Sequence, residues 1–437
     1  MSHLQNTDPD IYAAIQAEKV RQSEGMELIA SENYQSAAVL ETQSSHLANK
    51  YSEGFPGRRY YGGQENTDTV EQLAIDRAKQ VFRADHANVQ ALSGAAANVA
   101  AYAAMMEPGD TILGMDLSHG GHLTHGAPVT FLSKVYNFIR YKTREDGSID
   151  YDELRKIALE HKPKVILAGF SAYPRELEYE KFVAIANEIG AIAYADMSHI
   201  GGLIAANVLK NPLDYGFHAM MTTTHKSLRG PRGALILSKG IVSNPLKKPE
   251  GDRIENLPTI IDRAVFPGTQ GGPHMNVIAA IAVALKEAQT PEFKTYATQV
   301  LKNAKAMSQE LVARGYKLVT GGTDNHMVVV DFSGTSLNGS IAEKALDKIG
   351  ISTSKSTIPD DPNPPFRPSG LRIGTPAMTT RGVKEDEMRT IVDFMDQAFK
   401  LAVSGPEASS QQLVAEKFEN LHQQVITFAK KFPVPGV

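Results

Sequence analysis

The sequence predicts an α/β protein with a mainly parallel sheet in a large domain, followed by a smaller α+β domain. Three observations carry this. Short apolar runs alternate with helical patterns from about Thr69 onward, as in parallel strands joined by crossover helices. Five of those runs end in polar, chemistry-bearing residues, where open parallel sheets bind ligands. Past the break at Thr290-Pro291 the texture changes, and 437 residues are long enough for more than one domain.

Taken in order, Asp8 is an N-cap, Pro9 fits the first helical position and Gly25 a stop, so 8–24 reads as a helix. Residues 1–68 are expected to form an N-terminal arm and a loop, and 69–82 a helix. The apolar runs at 88–92, 111–115, 164–169, 191–195 and 219–223 read as strands. They lead into Ser93 and Gly94, the segment 116–122, Ser171, Asp196 with His199, and Thr224-His225-Lys226. The turn Arg229-Gly-Pro-Arg-Gly233 then feeds a strand at 234–237, returning antiparallel, and a polar connection over 239–262. A helix at 277–288 closes a large domain of 69–289. The second domain, 290–437, offers a helix at 292–314, strands at 316–319, 327–332 and 371–373, a Pro-rich loop at 359–368 and closing helices.

Composition narrows the chemistry. Lys and Arg total 45 against 49 Asp and Glu, a net charge of −4, so no cationic field draws in nucleic acid or an anionic membrane. There is no cysteine, which excludes disulfides, thiolate metal sites and a cysteine nucleophile. The start, MSHLQNTDPD, lacks the pattern of a secretory or transit leader, so a cytoplasmic location is expected. The apolar stretch at 277–285 falls short of the roughly 18 residues a bilayer span requires.

Lys226 follows an apolar strand and neighbours threonines in Thr222-Thr-Thr-His-Lys-Ser227. Partial desolvation suits such an amine to forming a Schiff base, although a lysine in a surface loop is the plainer reading. Asp196, at the end of another strand, changes that balance. Pyridoxal phosphate needs an acid opposite its ring nitrogen, to keep the pyridine protonated as an electron sink. Asp196 and His199 could instead ligate a metal, with His119, His122 and His125 as further donors. Gly120-Gly121 argues against the helix that would align those histidines on one face, and favours a loop in which one imidazole stacks on a flat cofactor. No metal is expected.

Ser93-Gly-Ala-Ala-Ala-Asn98 joins a strand end to a helix at 95–106, a cradle for a phosphate or simply a close helix–sheet contact. Phe266-Pro-Gly-Thr-Gln-Gly-Gly-Pro273 also precedes a helix and could close on the same phosphate or only turn the chain. The segment 49–63 is dense in tyrosine, arginine and glycine without periodicity, a loop suited to function or to an interface. Arg372, in Ser369-Gly-Leu-Arg-Ile-Gly-Thr-Pro376, could grip a carboxylate or form a structural salt bridge.

The motifs Leu28-Ile-Ala-Ser-Glu-Asn33, His119-Gly-Gly-His-Leu-Thr-His125, Gly169-Phe-Ser-Ala-Tyr173 and Asp196-Met-Ser-His199, with 51–63, 222–233, 266–273 and 369–376, closely resemble the serine hydroxymethyltransferase family. The likeness runs in order over nearly the whole chain. It implies the aspartate-aminotransferase type of fold (fold type I) with a seven-stranded sheet, and a homodimer, possibly paired into a tetramer, whose subunits share active sites. It implies pyridoxal 5'-phosphate as cofactor and transfer of the serine hydroxymethyl carbon to tetrahydrofolate, giving glycine and 5,10-methylenetetrahydrofolate. Lys226 would attach the cofactor, Asp196 pair with its pyridine nitrogen, His122 stack on the ring, and Ser171 and His199 approach its phenolic oxygen.

By the same likeness, Ser93, Gly94, Ala95, His225, Tyr51, Gly271 and Gly272 would surround the phosphate. The partner subunit would supply Tyr51, Glu53, Tyr61 and the Gly271-Gly272 turn. Arg372, with Ser31 and Tyr61, would hold the substrate carboxylate, Glu53 would exchange a proton with the leaving group or folate, and Thr223 would help position the aldimine. Folate would lie near Leu117, Gly121 and Leu123, with Ser356 and Phe366 on its other side.

Three features depart from the family pattern. Ala95 stands where the phosphate turn usually has a second serine, and Ala96 follows where a polar or small residue is usual, which predicts weaker holding by at most about 1–2 kcal/mol per lost hydroxyl contact. Ser356 stands where an asparagine is usual, and the connection 241–263 is longer than common. An aldolase for threonine and other β-hydroxy amino acids, or a non-catalytic cofactor-binding paralogue, would keep Lys226 and Asp196. Neither explains the 51–63 loop together with intact Glu53, His199 and Arg372.

Overall fold

The structure, a computed structural model, describes residues 2–241, 251–404 and 408–436. The chain forms two compact units, Gln35–Thr298 and the combination of Met1–Tyr34 with Gln299–Val437.

The first unit is built on seven strands: β1 (His86–Asn88), β2 (Thr111–Met115), β3 (Asn137–Tyr141), β4 (Val165–Gly169), β5 (Ile192–Asp196), β6 (Ala219–Thr223) and β7 (Ala234–Ser238). Their order is β1-β7-β6-β5-β4-β2-β3. Neighbours are parallel except where β7 pairs with β6 and β1, so the antiparallel return expected after the Gly233 turn is present. The central strands β4, β5 and β6 are buried throughout, which is why they read as unbroken apolar runs.

Two strands of this sheet differ from the sequence reading. β1 ends at Asn88 rather than running from 88 to 92, because Asn88 Oδ1 accepts the Gln90 N–H at 3.0 Å and competes with the strand ladder. The edge strand β3 was not anticipated: its sequence, NFIRY, mixes polar and apolar residues, and most of it is only partly buried. Of the long connection after β7, residues 242–250 lie outside the described residues, and its end forms a helix, Leu257–Arg263.

One helix positions the site. The helix Gly94–Met105 starts where Ser93 Oγ accepts the Ala96 N–H at 3.2 Å. Ala97, Ala100, Ala101 and Ala104 are buried in the core with Ile112, Val165, Leu167 and Met221 of the sheet, so small side chains let the helix lie close.

The second unit carries a four-stranded antiparallel sheet of β8 (Lys317–Leu318), β9 (Met327–Asp331), β10 (Ser354–Ser356) and β11 (Gly370–Gly374), in the order β8-β9-β11-β10. The segment Met26–Glu27 pairs in parallel with Ile351–Ser352, and Met26 and Leu28 enter this unit's core. The helix Pro9–Glu24 is punctuated as its sequence dictates: Asp8 Oδ1 accepts the Ile11 N–H at 3.0 Å and Gly25 caps the other end. No helix among the described residues is long and apolar enough to cross a membrane.

Candidate active site

Asp196 is the last residue of β5 and is buried. Its carboxylate is held from both sides. Oδ1 accepts the Ser198 N–H at 3.1 Å and the Ser198 hydroxyl at 2.6 Å. Oδ2 accepts Asn98 Nδ2–H at 2.9 Å and lies 3.0 Å from His125 Nε2. Burial alone would push this acid up, but the hydrogen bonds from His125 and the Ser198 hydroxyl, with His122 nearby, overcome it and hold the carboxyl well below the usual range. Asp196 is therefore a fixed negative charge in a protein interior.

Lys226 follows β6, whose register against β5 sets Met221 opposite Asp196. The loop carrying it is tied to the turn after Asp196. Thr223 Oγ1 donates to the Ser198 carbonyl at 3.3 Å, Ser227 Oγ donates to the His199 carbonyl at 3.0 Å, and Gly202 N–H donates to Ser227 Oγ at 3.0 Å. A Cβ on Gly202 would stand 2.3 Å from the Ser227 backbone, so only glycine allows this approach. Lys226, Thr223 and His199 are all buried.

The start of the Gly94–Met105 helix abuts the same strand end: a Cβ on Gly94 would meet Thr223 Cγ2 at 2.7 Å. With Ser93 Oγ spent on Ala96, the earlier amides at Gly94 and Ala95 are left for an anion. His225 Nδ1 is buried and has no hydrogen-bond partner among the described residues. Burial, with Arg232 and Lys226 nearby, pushes the His225 imidazole down to about 3, so it is neutral at physiological pH. A buried amine, a permanent carboxylate on the adjacent strand and an anion-binding helix start fit the amine, ring nitrogen and phosphate requirements of pyridoxal phosphate.

A second group gathers around the 51–63 loop. Tyr51 Oη donates to Glu53 Oε1 at 3.2 Å, which pushes the phenol up, and the Tyr61 ring meets Tyr51 edge-on at 5.5 Å. Gly271 and Gly272 lie against these residues: Cβ atoms built there would stand 3.3 Å from Glu53 Oε1 and 3.2 Å from the Tyr51 ring. Arg59 holds the loop from beneath, bonding the Ser52 and Gly54 carbonyls and the Asp68 and Glu71 carboxylates. Tyr51 and Tyr61 remain 59% and 52% exposed, so this group offers a surface rather than a pocket.

The remaining expected residues fall in several places. Leu117 and Leu123 are exposed in two short turns that flank Gly120-Gly121, and Ser171 N–H donates to the Gly120 carbonyl at 2.7 Å. In the second unit, Arg372 lies on β11 opposite Val329 and Ser354, and burial lowers its guanidinium to about 10, still charged at neutral pH. Ser31 follows the Met26–Glu27 strand, Ser356 ends β10 and donates to the Thr357 carbonyl at 3.1 Å, and Phe366 is 89% exposed.

The sequence reading did not find Asn98, Thr124 or Ser198, and treated His125 only as a possible metal donor. His122, His125 and Asp196 do place ligand atoms within 4.8 Å of one another, but His125 spends its Nε2 on the Asp196 carboxylate. Asn98 did carry a signal, as a polar residue inside an alanine-rich helix start.

Chemistry that draws electrons into a pyridine ring needs an amine and an acid on that ring, and the fold presenting them here defines a pyridoxal phosphate enzyme of the aspartate-aminotransferase type. Residues 4–395 match the family model described as Serine hydroxymethyltransferase. The chain is 50% identical over 433 residues to the serine hydroxymethyltransferase of Xanthomonas campestris pv. campestris (strain B100), covering 99% of this chain and 98% of that protein. It is 49% identical, over the same shares, to those of Xanthomonas axonopodis pv. citri (strain 306) and Xanthomonas euvesicatoria pv. vesicatoria (strain 85-10). The chain belongs to the serine hydroxymethyltransferase family. It is a pyridoxal phosphate-dependent transferase that uses tetrahydrofolate as cosubstrate.

Proposed function

We propose that the transfer of the serine hydroxymethyl carbon to tetrahydrofolate is carried out by a division of labour between the two groups of residues above. The caged Asp196 carboxylate carries this reading, because a permanent buried anion on the strand next to the one that leads to Lys226 suits a protonated pyridine. When bound, the cofactor supplies a ring that accepts the electrons released as a bond to the substrate Cα breaks.

Lys226 attaches the cofactor and Asp196 pairs with its ring nitrogen, while His122 covers one face and Ser171 and His199 approach the phenolic oxygen. Ser93, Gly94 and Ala95, with neutral His225, hold the phosphate through backbone donors and helix polarity; Ala95 brings no hydroxyl to the task. Arg372, helped by Ser31 and Tyr61, would hold the substrate carboxylate, and Thr223 would help position the substrate on the cofactor. Glu53 exchanges a proton with the departing hydroxymethyl group. Leu117, Gly121, Leu123, Ser356 and Phe366 receive folate.

The exposed Tyr51 and Tyr61, with the half-buried Glu53, support a homodimer in which these residues and the Gly271-Gly272 turn of one subunit complete the site of the other. The absence of cysteine supports a cytoplasmic enzyme, since nothing in the chain calls for an oxidising compartment. The test is Lys226→Ala. The wild type is expected to hold visible absorbance that borohydride fixes to the chain, and the folded variant to lose that fixation; a variant that is still labelled on the chain overturns the assignment.

A further inference from the structure

The buried hydrogen bonds behind His122 have a direction. Tyr194, wholly buried on β5, donates its hydroxyl to Asn98 Oδ1 at 2.8 Å. Burial, then the neighbouring Tyr102 and Asp196, push that phenol well above its ordinary range, so it stays a donor. This fixes the Asn98 amide, whose Nδ2 must face the Asp196 carboxylate, an acceptor only. The same Nδ2 donates to Thr124 Oγ1 at 2.7 Å. The other neighbour of the Thr124 hydroxyl is His122 Nδ1, at 2.8 Å, to which it donates if that nitrogen is bare. The Thr124 backbone N–H, which can only donate, points at the same Nδ1 at 3.2 Å. Two donors converge on one ring nitrogen, which must be bare.

We infer that Thr124, oriented by Asn98, is a positioning residue that holds His122 as a neutral imidazole protonated on Nε2. A second proton would place an N–H against two donors, one of which cannot turn away. Since Asp196 lies nearby and would otherwise favour an imidazolium, the relay leaves the Asp196 carboxylate as the counter-charge for the ring nitrogen alone. This consequence rests on the reading in which His122 stacks on the cofactor. Asn98 contacts both Asp196 and Thr124, so a single amide sets the acid beneath the ring nitrogen and the tautomer of the imidazole together.

Nitrogen NMR of the full-length protein, labelled in histidine, tests this with and without pyridoxal phosphate; His122→Gln identifies the signal. Expected are a bare Nδ1 and a protonated Nε2 for His122. Thr124→Val should shift the Nδ1 resonance and release cofactor roughly tenfold faster, the effect of one lost buried hydrogen bond, and Thr124→Ser should restore both. A His122 protonated on Nδ1 in the wild type overturns the inference without any need for the valine variant to fold, and so does a Thr124→Val protein with wild-type resonance and release. If His122→Gln binds cofactor as tightly and with the same colour as wild type, stacking is wrong while the tautomer assignment stands.

Discussion

The Nε2 of His125 lies 3.0 Å from Oδ2 of Asp196, while its Nδ1 receives the backbone N–H of His122 at 3.2 Å. The backbone donor makes Nδ1 the acceptor, so the ring proton sits on Nε2 and is donated to the carboxylate. His125 thus helps keep Asp196 ionised in an interior that would otherwise favour the neutral acid.

Replacing His125 by Phe should therefore loosen the cofactor. A hydrogen bond to a charged group contributes about 1.5–3 kcal/mol, so affinity should fall roughly ten- to hundredfold. Equilibrium dialysis of pyridoxal phosphate against the folded variant measures this; unchanged affinity would mean that Asn98 and Ser198 suffice.

The proposed sharing of sites between subunits makes a prediction about mixtures. Lys226→Ala and Glu53→Gln subunits should each be inactive alone. After random reassortment of equal amounts, half of the dimers contain both kinds and one intact site each, so about a quarter of wild-type activity should return. No recovery, with mixed dimers demonstrated by tag pulldown, would place Glu53 in its own subunit's site.

Arg381 is buried, and all five of its N–H groups meet carbonyl oxygens: Gln22, Ser23, Gly25, Ala429 and Phe432, at 2.6 to 3.1 Å. Most of these belong to the ends of the Pro9–Glu24 and Ala408–Ala429 helices, where orphan carbonyls favour a cation. A lysine has three donors and no planar fork, so Arg381→Lys should cost about 2–4 kcal/mol in urea unfolding. A shift below about 0.5 kcal/mol, the scale of an ordinary surface substitution, would show the clamp to be dispensable.

Glu27 gives stability a pH dependence. Burial, and then the neighbouring Glu32 carboxyl, push this acid well above the ordinary carboxylate range. In the unfolded chain it ionises near pH ~4.3, and in the folded chain only at higher pH. Between those values the folded state holds more protons, so its stability is full on the acid side and falls as pH rises through the window. Glu27→Gln should remove roughly 2–4 kcal/mol of that loss between pH 5 and pH 8. Unfolding curves of both proteins at the two pH values check it, and parallel pH profiles would be the contrary result.

Local rules made much of this chain legible in advance. Asp8, Pro9 and Gly25 punctuate a helix through bonds within a few residues, and the buried runs at 111–115 and 219–223 fall where their apolar texture puts them. Lys226 and Asp196 were visible because strand ends are visible, and the family was visible because its motifs recur in order. The cage around Asp196 was not legible. Beyond the adjacent Ser198, its donors come from 71 and 98 residues away in the chain, and Arg381 collects carbonyls from both ends of the sequence. Periodicity and capping are written in neighbouring residues. Which distant polar groups meet in the interior is settled only when packing brings them together and every buried donor must find its acceptor.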